Sequence, residues 1–316
     1  MAGYIIRRLL QAVIVVIGVV FITFMLIKLL PGGQCAAALG PKANPHNCKI
    51  YNHDNGLDKP FFVQFWIYLT NVLRGNMGYS YKTGQNIFSA ITGAMARSAM
   101  LVLTSIVLSF MIGIPIGVWQ AMKRNTWIDH SVTALMFFFY SVPIFVSGTI
   151  AIYWLADKLG YFPSSVDPNA GVLTIFESPK QFILPVALLT LAGLAGVTRY
   201  VRSSLLDNLV QDYVRTARAK GASNTRVLFR HALRNALLPM ITFVGLSIPA
   251  LFGGALIIEV LFGFQGMGML TVNSTLNADY LVVVGATLFA GLATAIGSLV
   301  ADILYATADP RIRLGA

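Results

Sequence analysis

Six stretches of this chain run without Asp, Glu, Lys or Arg for long enough to cross a bilayer: residues 9–27, 98–122, 131–156, 181–198, 235–258 and 280–301. A hydrocarbon core about 30 Å thick needs about 20 helical residues at a rise of about 1.5 Å each. The expected fold is therefore an all-α integral membrane protein with six transmembrane helices. Composition agrees, with 56% hydrophobic and only 11% charged residues. That leaves too few charges to cover a soluble surface, and it excludes a soluble enzyme, a coiled coil and a disordered chain. Pro115, Pro143, Pro185 and Pro249 fall inside the spans. Neighbouring helices can re-satisfy the backbone groups they free, so kinks rather than breaks are expected there.

The formal charge of +11 encodes orientation rather than nucleic-acid binding. With the N-terminus inside, the inner segments hold Arg7 and Arg8, Lys123 and Arg124, eight cations between Arg199 and Arg234, and Arg311 and Arg313, which is 14 of the 23 Lys and Arg. The outer segment 264–277 carries none. Both termini are expected in the cytoplasm. Arg7-Arg8 before an apolar run also suits a signal peptide, but the run is long and five spans follow, so the first helix is expected to stay as an anchor. Gln34 is wrong for the small residue that lipoprotein cleavage before Cys35 would want.

The only cysteines, Cys35 and Cys48, both lie in the first outer segment. A disulfide closing that loop, two free thiols, and a metal pair with His46 and His53 all stay open here. No ligand set has zinc-like spacing, so no metal is expected.

The inner segment 199–239 is the most informative, with eight basic and two acidic residues, Asp207 and Asp212. A helical reading puts Leu205, Leu206, Leu209, Val210, Tyr213 and Val214 on one apolar side. A second helical piece carries Val227, Leu228, His231 and Leu233, and Gly221 marks the turn between the two. A basic amphipathic segment of this kind suits anionic headgroups. Thr216, Ala217, Ala219 and Gly221 argue instead for a flat outward surface that fits another protein's groove.

These residues carry a resemblance. Arg215-Thr216-Ala217, followed after three residues by Gly221, resembles the EAA loop of bacterial ABC importer permeases, with Arg215 in the usual Glu position. The run 212–221 with 231–239 resembles the first, B-type, permease of the dipeptide/oligopeptide/nickel subfamily. Supporting pieces cover nearly the whole chain: Gly56-Leu57-Asp58-Lys59-Pro60, residues 75–80, Ser141-Val142-Pro143-Ile144-Phe145, Arg199-Tyr200-Val201-Arg202-Ser203 and residues 309–313. Three positions depart from the pattern. Gly33 and Asn76 stand where the subfamily has Asp, and Gln265 stands where it has Pro.

The resemblance implies the membrane domain of a type I ABC importer in the bacterial cytoplasmic membrane. It implies pairing with a second homologous permease, two cytoplasmic ATPase subunits and an extracytoplasmic substrate-binding protein, and transport by alternating access. ATP and Mg would sit on the ATPases, since this chain has no Walker A motif and no cofactor is expected in it. Its domains would be residues 1–95 (first helix and long outer segment), 96–308 (transport domain with a coupling loop at about 203–236) and 309–316 (cytoplasmic tail). The coupling residues would be Arg215, Thr216, Ala217, Arg218, Ala219, Lys220 and Gly221. Tyr213, Phe229, His231, Arg234, Asn235 and Pro239 would pack the flanking helices. The cargo would be a di- or oligopeptide; nickel or another small solute is the alternative, and a secondary transporter the remote one.

Glu259 and Asp302 fall at span boundaries, where water or neighbouring cations can solvate them, so structure rather than substrate contact is expected of both. Gly193 and Gly196, with Ala192 and Ala195, make a small-residue face suited to helix packing. No Ser/His/Asp set, carboxylate pair or Cys/His cluster shares one face, so no catalytic site is expected. The substrate-lining residues are not legible.

Overall fold

The computed structural model describes residues 2–28, 33–54, 56–253 and 255–308. The described residues form helices and no strand, apart from an isolated antiparallel bridge between Tyr79 and Asn86. In chain order the helices are α1 (Ala2–Lys28), α2 (Gly33–Leu39), α3 (Pro45–Asp54), α4 (Phe61–Leu73), α5 (Ile87–Met122), α6 (Trp127–Ser141) and α7 (Ile144–Lys158). They continue as α8 (Thr174–Glu177), α9 (Lys180–Leu209), α10 (Asp212–Ala219), α11 (Asn224–Ala236), α12 (Leu238–Gly253), α13 (Leu256–Leu261), α14 (Met267–Leu276) and α15 (Tyr280–Ala308).

Four helices are long and apolar enough to cross a membrane as they stand: α1, α5, α9 and α15. Two more crossings come from bent pairs, α6 with α7 at 94° and α11 with α12 at 41°. Six spans result, but Pro143 marks a break and not the expected kink. Proline has no amide hydrogen and pushes the preceding residue out of helical geometry. Val142 is accordingly extended (φ −77°, ψ 123°) and the helix stops at Ser141. Pro115 and Pro185 stay inside continuous helices. The fifth stretch, read as residues 235–258, also divides: α12 ends at Gly253 and α13 restarts after Ala255.

Small residues set the helix spacing. A side-chain carbon at Gly113 would lie 2.8 Å from Val197 Cγ1, and one at Gly117 would lie 2.7 Å from the Thr198 carbonyl oxygen, so the α5 backbone comes up against both side chain and backbone of α9. Ser109 donates across the same seam to the Thr190 carbonyl at 3.0 Å. Gly245 meets Ala301 where α12 crosses α15. Gly193 packs on Ser109 as expected of a small-residue face, whereas Gly196 has open space beside it.

Arg8, near the start of α1, donates to Asp302, near the end of α15, at 2.7 Å. That contact puts the beginning of the first span and the end of the last at one membrane face, the basic one. At the opposite face Cys35 and Cys48 are joined as a disulfide with Cα atoms 5.5 Å apart, fastening α2 to α3 and leaving no thiolate pair for a metal. Helix α4 packs its aromatic side on α1, with Phe21 meeting Phe65 at 5.2 Å and Phe61 at 5.4 Å between ring centres. Residues 309–316, the expected tail with Arg311 and Arg313, lie outside the described residues.

Candidate functional site: a basic knuckle and two buried carboxylates

Helix α9 runs well past the expected end at residue 198, carrying Arg199, Arg202, Leu205 and Leu206 beyond the apolar run. It stops at Leu209, and Val210-Gln211 separate it from α10. The apolar side read as one helix over 205–214 is therefore two, and Val210 is exposed. Leu205 and Val214 are fully buried in one cluster with Val118, Val201, Val227 and Ala232. The ends of α5, α9, α10 and α11 thus form a single apolar knot at the basic face.

This knot decides which side of α10 is available. Ala217 was expected to face outward, but it is 9% exposed and packs into the knot beside Val214. Arg215, Thr216, Arg218, Ala219 and Lys220 make up the exposed side. Gly221 follows with φ +80°, a left-handed conformation that glycine adopts without a side-chain clash. Nothing in the chain lies within 4 Å of a Cβ built there, so backbone conformation and not close packing is what requires glycine. Of the residues expected to pack the flanking helices, Tyr213, Phe229, Arg234 and Asn235 are exposed in this chain, and His231 and Pro239 are half-buried. Val227, Leu228, Ala232 and Ala236 pack instead. The Tyr213 hydroxyl donates to Asn208 at 2.6 Å and bridges the gap between α9 and α10. What results is a basic knuckle, its inner side apolar and packed and its outer side rich in cations.

A buried carboxylate that sequence reading missed braces the arm leading to this knuckle. Asp129, 1% exposed near the start of α6, accepts from Arg202 Nε and Nη2, both at 2.7 Å. The Asn125 amide donates to it at 3.0 Å, and Asn125 has φ 61° to present that amide. Gln120, also buried, donates to the Asp129 carbonyl and to Thr133. The turn 123–126 and the starts and ends of three helices therefore meet at one ion pair. The available signal was an uncompensated Asp beside a span and an Arg one helical turn beyond another, 73 residues apart.

The second carboxylate is Glu259, expected at a solvated boundary but wholly buried. Its Oε1 accepts from the Ser98 hydroxyl at 2.6 Å and the Ala255 amide at 3.0 Å, and its Oε2 accepts from the Met269 amide at 3.1 Å. Ser98 accepts in turn from the Met267 amide at 2.7 Å. The run Phe264-Gln265-Gly266-Met267-Gly268 wraps this group so closely that a Cβ at Gly266 would lie 2.5 Å from Glu259 Cδ, and one at Gly268 would lie 2.5 Å from Leu256 Cα. Satisfied by three donors, Glu259 folds the non-helical segment onto α5 and is not presented to a substrate. Asp302 is likewise engaged, with Arg8. Among the described residues no group of three or more His, Cys, Asp or Glu is arranged to hold a metal.

Comparison with known proteins matches both parts of the chain. Residues 113–314 match the family described as the binding-protein-dependent transport system inner membrane component, and residues 1–111 match the N-terminal model of such membrane components. Over 99% of both chains it is 39% identical to the oligopeptide transport system permease protein AppB of Bacillus subtilis. A putative peptide transport system permease protein of Brucella abortus is 36% identical over 99% of both chains. The glutathione transport system permease protein GsiC of Salmonella typhimurium is 34% identical, again over 99% of both. A family match over residues 113–314, relatives of full length and six apolar spans lead to one conclusion: this chain belongs to the inner membrane components of binding-protein-dependent transport systems, as the multi-pass membrane domain of a type I ABC importer.

Proposed function

We propose that this chain is the translocation subunit of an ATP-driven importer that moves di- or oligopeptides across the cytoplasmic membrane by alternating access. The observation that carries this is the basic knuckle of α10 and Gly221, braced through Arg202 and Asp129. A surface packed onto the ends of several spans and tied to them by an ion pair would transmit displacement to them when a partner pushes on it. Arg215, Arg218 and Lys220 would orient an ATPase groove by charge, while Thr216 and Ala219 allow close approach and Ala217 acts from inside by seating the helix.

Peptide cargo is supported by the names of the relatives, which are oligopeptide, peptide and glutathione permeases. The full assembly would hold a second homologous permease, two ATPase subunits binding ATP and Mg, and an extracytoplasmic binding protein. This chain would contribute no catalytic group. Residues 1–95 would form the anchor and outer segment, 96–308 the transport domain and 309–316 the cytoplasmic tail. The test is to reconstitute the complex and measure ATP hydrolysis with binding protein loaded with a tripeptide. Stimulated hydrolysis with peptide import is expected. ATPase activity in the purified chain alone, or stimulation by nickel and not by peptide, overturns the reading.

A further inference from the structure

A polar cleft of about 330 Å³ opens at the end of the bundle opposite the knuckle. One wall is the side of α5 that carries Ala90, Ala94 and Arg97, where two small residues leave room and a guanidinium closes the row. The facing wall is α14, through Asn273, Ser274 and Asn277 at helical spacing. The turn from Ser80 to Gln85 and Asp279 complete it, with Lys82 adding a second cation.

Two opposite charges line this cleft without pairing with each other. Arg97 donates Nε to the Gln265 carbonyl at 2.6 Å, its one hydrogen bond among the described residues. Glu259 attracts it but forms no ion pair with it. A guanidinium has five N–H donors in a planar fork, so most of this one is left for a ligand. Asp279 is 3% exposed and accepts from the Ser80 hydroxyl and, at 3.4 Å, the Tyr81 amide, with no cation in contact among the described residues. Burial pushes the neighbouring Tyr81 phenol far above its ordinary range, so Tyr81 brings no charge to the cleft, and Asp279 is the one acidic side chain among its described lining residues. A buried charge without a counter-charge is costly, and a site that carries both signs, Arg97 and Lys82 against Asp279, is complementary to a zwitterion.

We propose that this cleft is a subsite for a short peptide entering from the outer face, with Arg97 taking the terminal carboxylate through its paired nitrogens and Asp279 drawing the ammonium end. The carboxamides of Asn273 and Asn277 suit the peptide groups between. The inference rests on the peptide reading above and deepens it.

The test uses the full reconstituted complex, with binding protein loaded to equal concentration with a free tripeptide or with its C-terminal amide. In the unaltered complex the free peptide is expected to be imported about tenfold faster, the scale of one charge-assisted hydrogen-bonded pair. Arg97→Met should remove that preference by slowing the free peptide while changing the amide less than about twofold, and Arg97→Lys should restore part of it. Equal slowing of both peptides would mean that Arg97 acts only through the Gln265 segment or on the binding protein, and would overturn the subsite. So would an unaltered complex that imports both peptides alike. Should Arg97→Met fail to assemble, the preference measured in Arg97→Lys decides in the same way. If the unaltered complex imports neither peptide, the peptide reading itself is what fails.

Discussion

Arg202 on α9 holds Asp129 at the start of α6 through two parallel hydrogen bonds of 2.7 Å, with the carboxylate almost fully withdrawn from water. Paired nitrogens on paired oxygens fix both distance and angle, so α9 cannot slide or roll against α6 without breaking the pair. Since α9 leads into α10, this pair also determines where the knuckle sits relative to the bent α6–α7 span.

Removing one partner should cost more than removing both. Asp129→Ala leaves Arg202 partly buried without its carboxylate, a loss of about 3 kcal/mol for a broken buried pair. Replacing the pair with Asp129→Leu and Arg202→Met together should recover much of that stability, because two apolar groups pack without a desolvation cost. Thermal unfolding of the purified complex checks the ordering. A single variant as stable as the double would show that leaving Arg202 without its carboxylate costs nothing.

Gly221→Val should import poorly although the chain inserts normally. A β-branched residue at φ +80° costs roughly 1–3 kcal/mol of backbone strain, confined to the turn after α10. Ala217→Trp should act alike for a different reason, overpacking the apolar knot and lifting α10 from its seat. Co-purification of the ATPase with each variant, alongside transport, tests this. Wild-type import with tightly coupled hydrolysis in a chain carrying both Gly221→Val and Ala217→Trp would rule out the coupling role.

Two glycine-to-alanine changes should differ sharply. Gly266→Ala puts a carbon 2.5 Å from Glu259 Cδ and 2.5 Å from Ser98 Oγ, so the hydrogen-bonded segment must move. Gly196→Ala meets nothing within 4 Å and, being a helix-favouring change, should be neutral or slightly stabilising. Melting temperatures of the two variants, measured side by side, give the answer; similar values would mean that the Glu259 wrap is loose.

Breaking the Cys35–Cys48 bond should loosen the outer segment alone. The cysteines are 13 residues apart, and closing a loop near that length is worth roughly 3 kcal/mol in the chain-entropy account. Cys35→Ser with Cys48→Ser should expose α2 and α3 to added protease while α5 and α9 stay protected. Unchanged cleavage would show that α3 is held by its neighbours without the bond.

The uncharged runs alone determine six crossings, because lipid admits long apolar helices and penalises charge. The Lys and Arg asymmetry likewise determines which face is basic. The position of the knuckle was legible too, since Gly221 ends a short helix in a run of cations. Tertiary structure alone decided which residues of that knuckle face inward: eight residues of α10 carry too few apolar side chains for periodicity to choose a side, and Ala217 turned in because Val214 had to reach the core formed by Val118, Leu205 and Val227. It also decided that Asp129 and Arg202, far apart in the chain, form one bidentate pair, and that Glu259 is enclosed rather than solvated. Pro143 breaks its helix while Pro115 does not, although each is one proline in an apolar run. Local sequence reports periodicity and the cost of charge in lipid; the partner of each charge and the fate of each proline depend on which helices pack beside them.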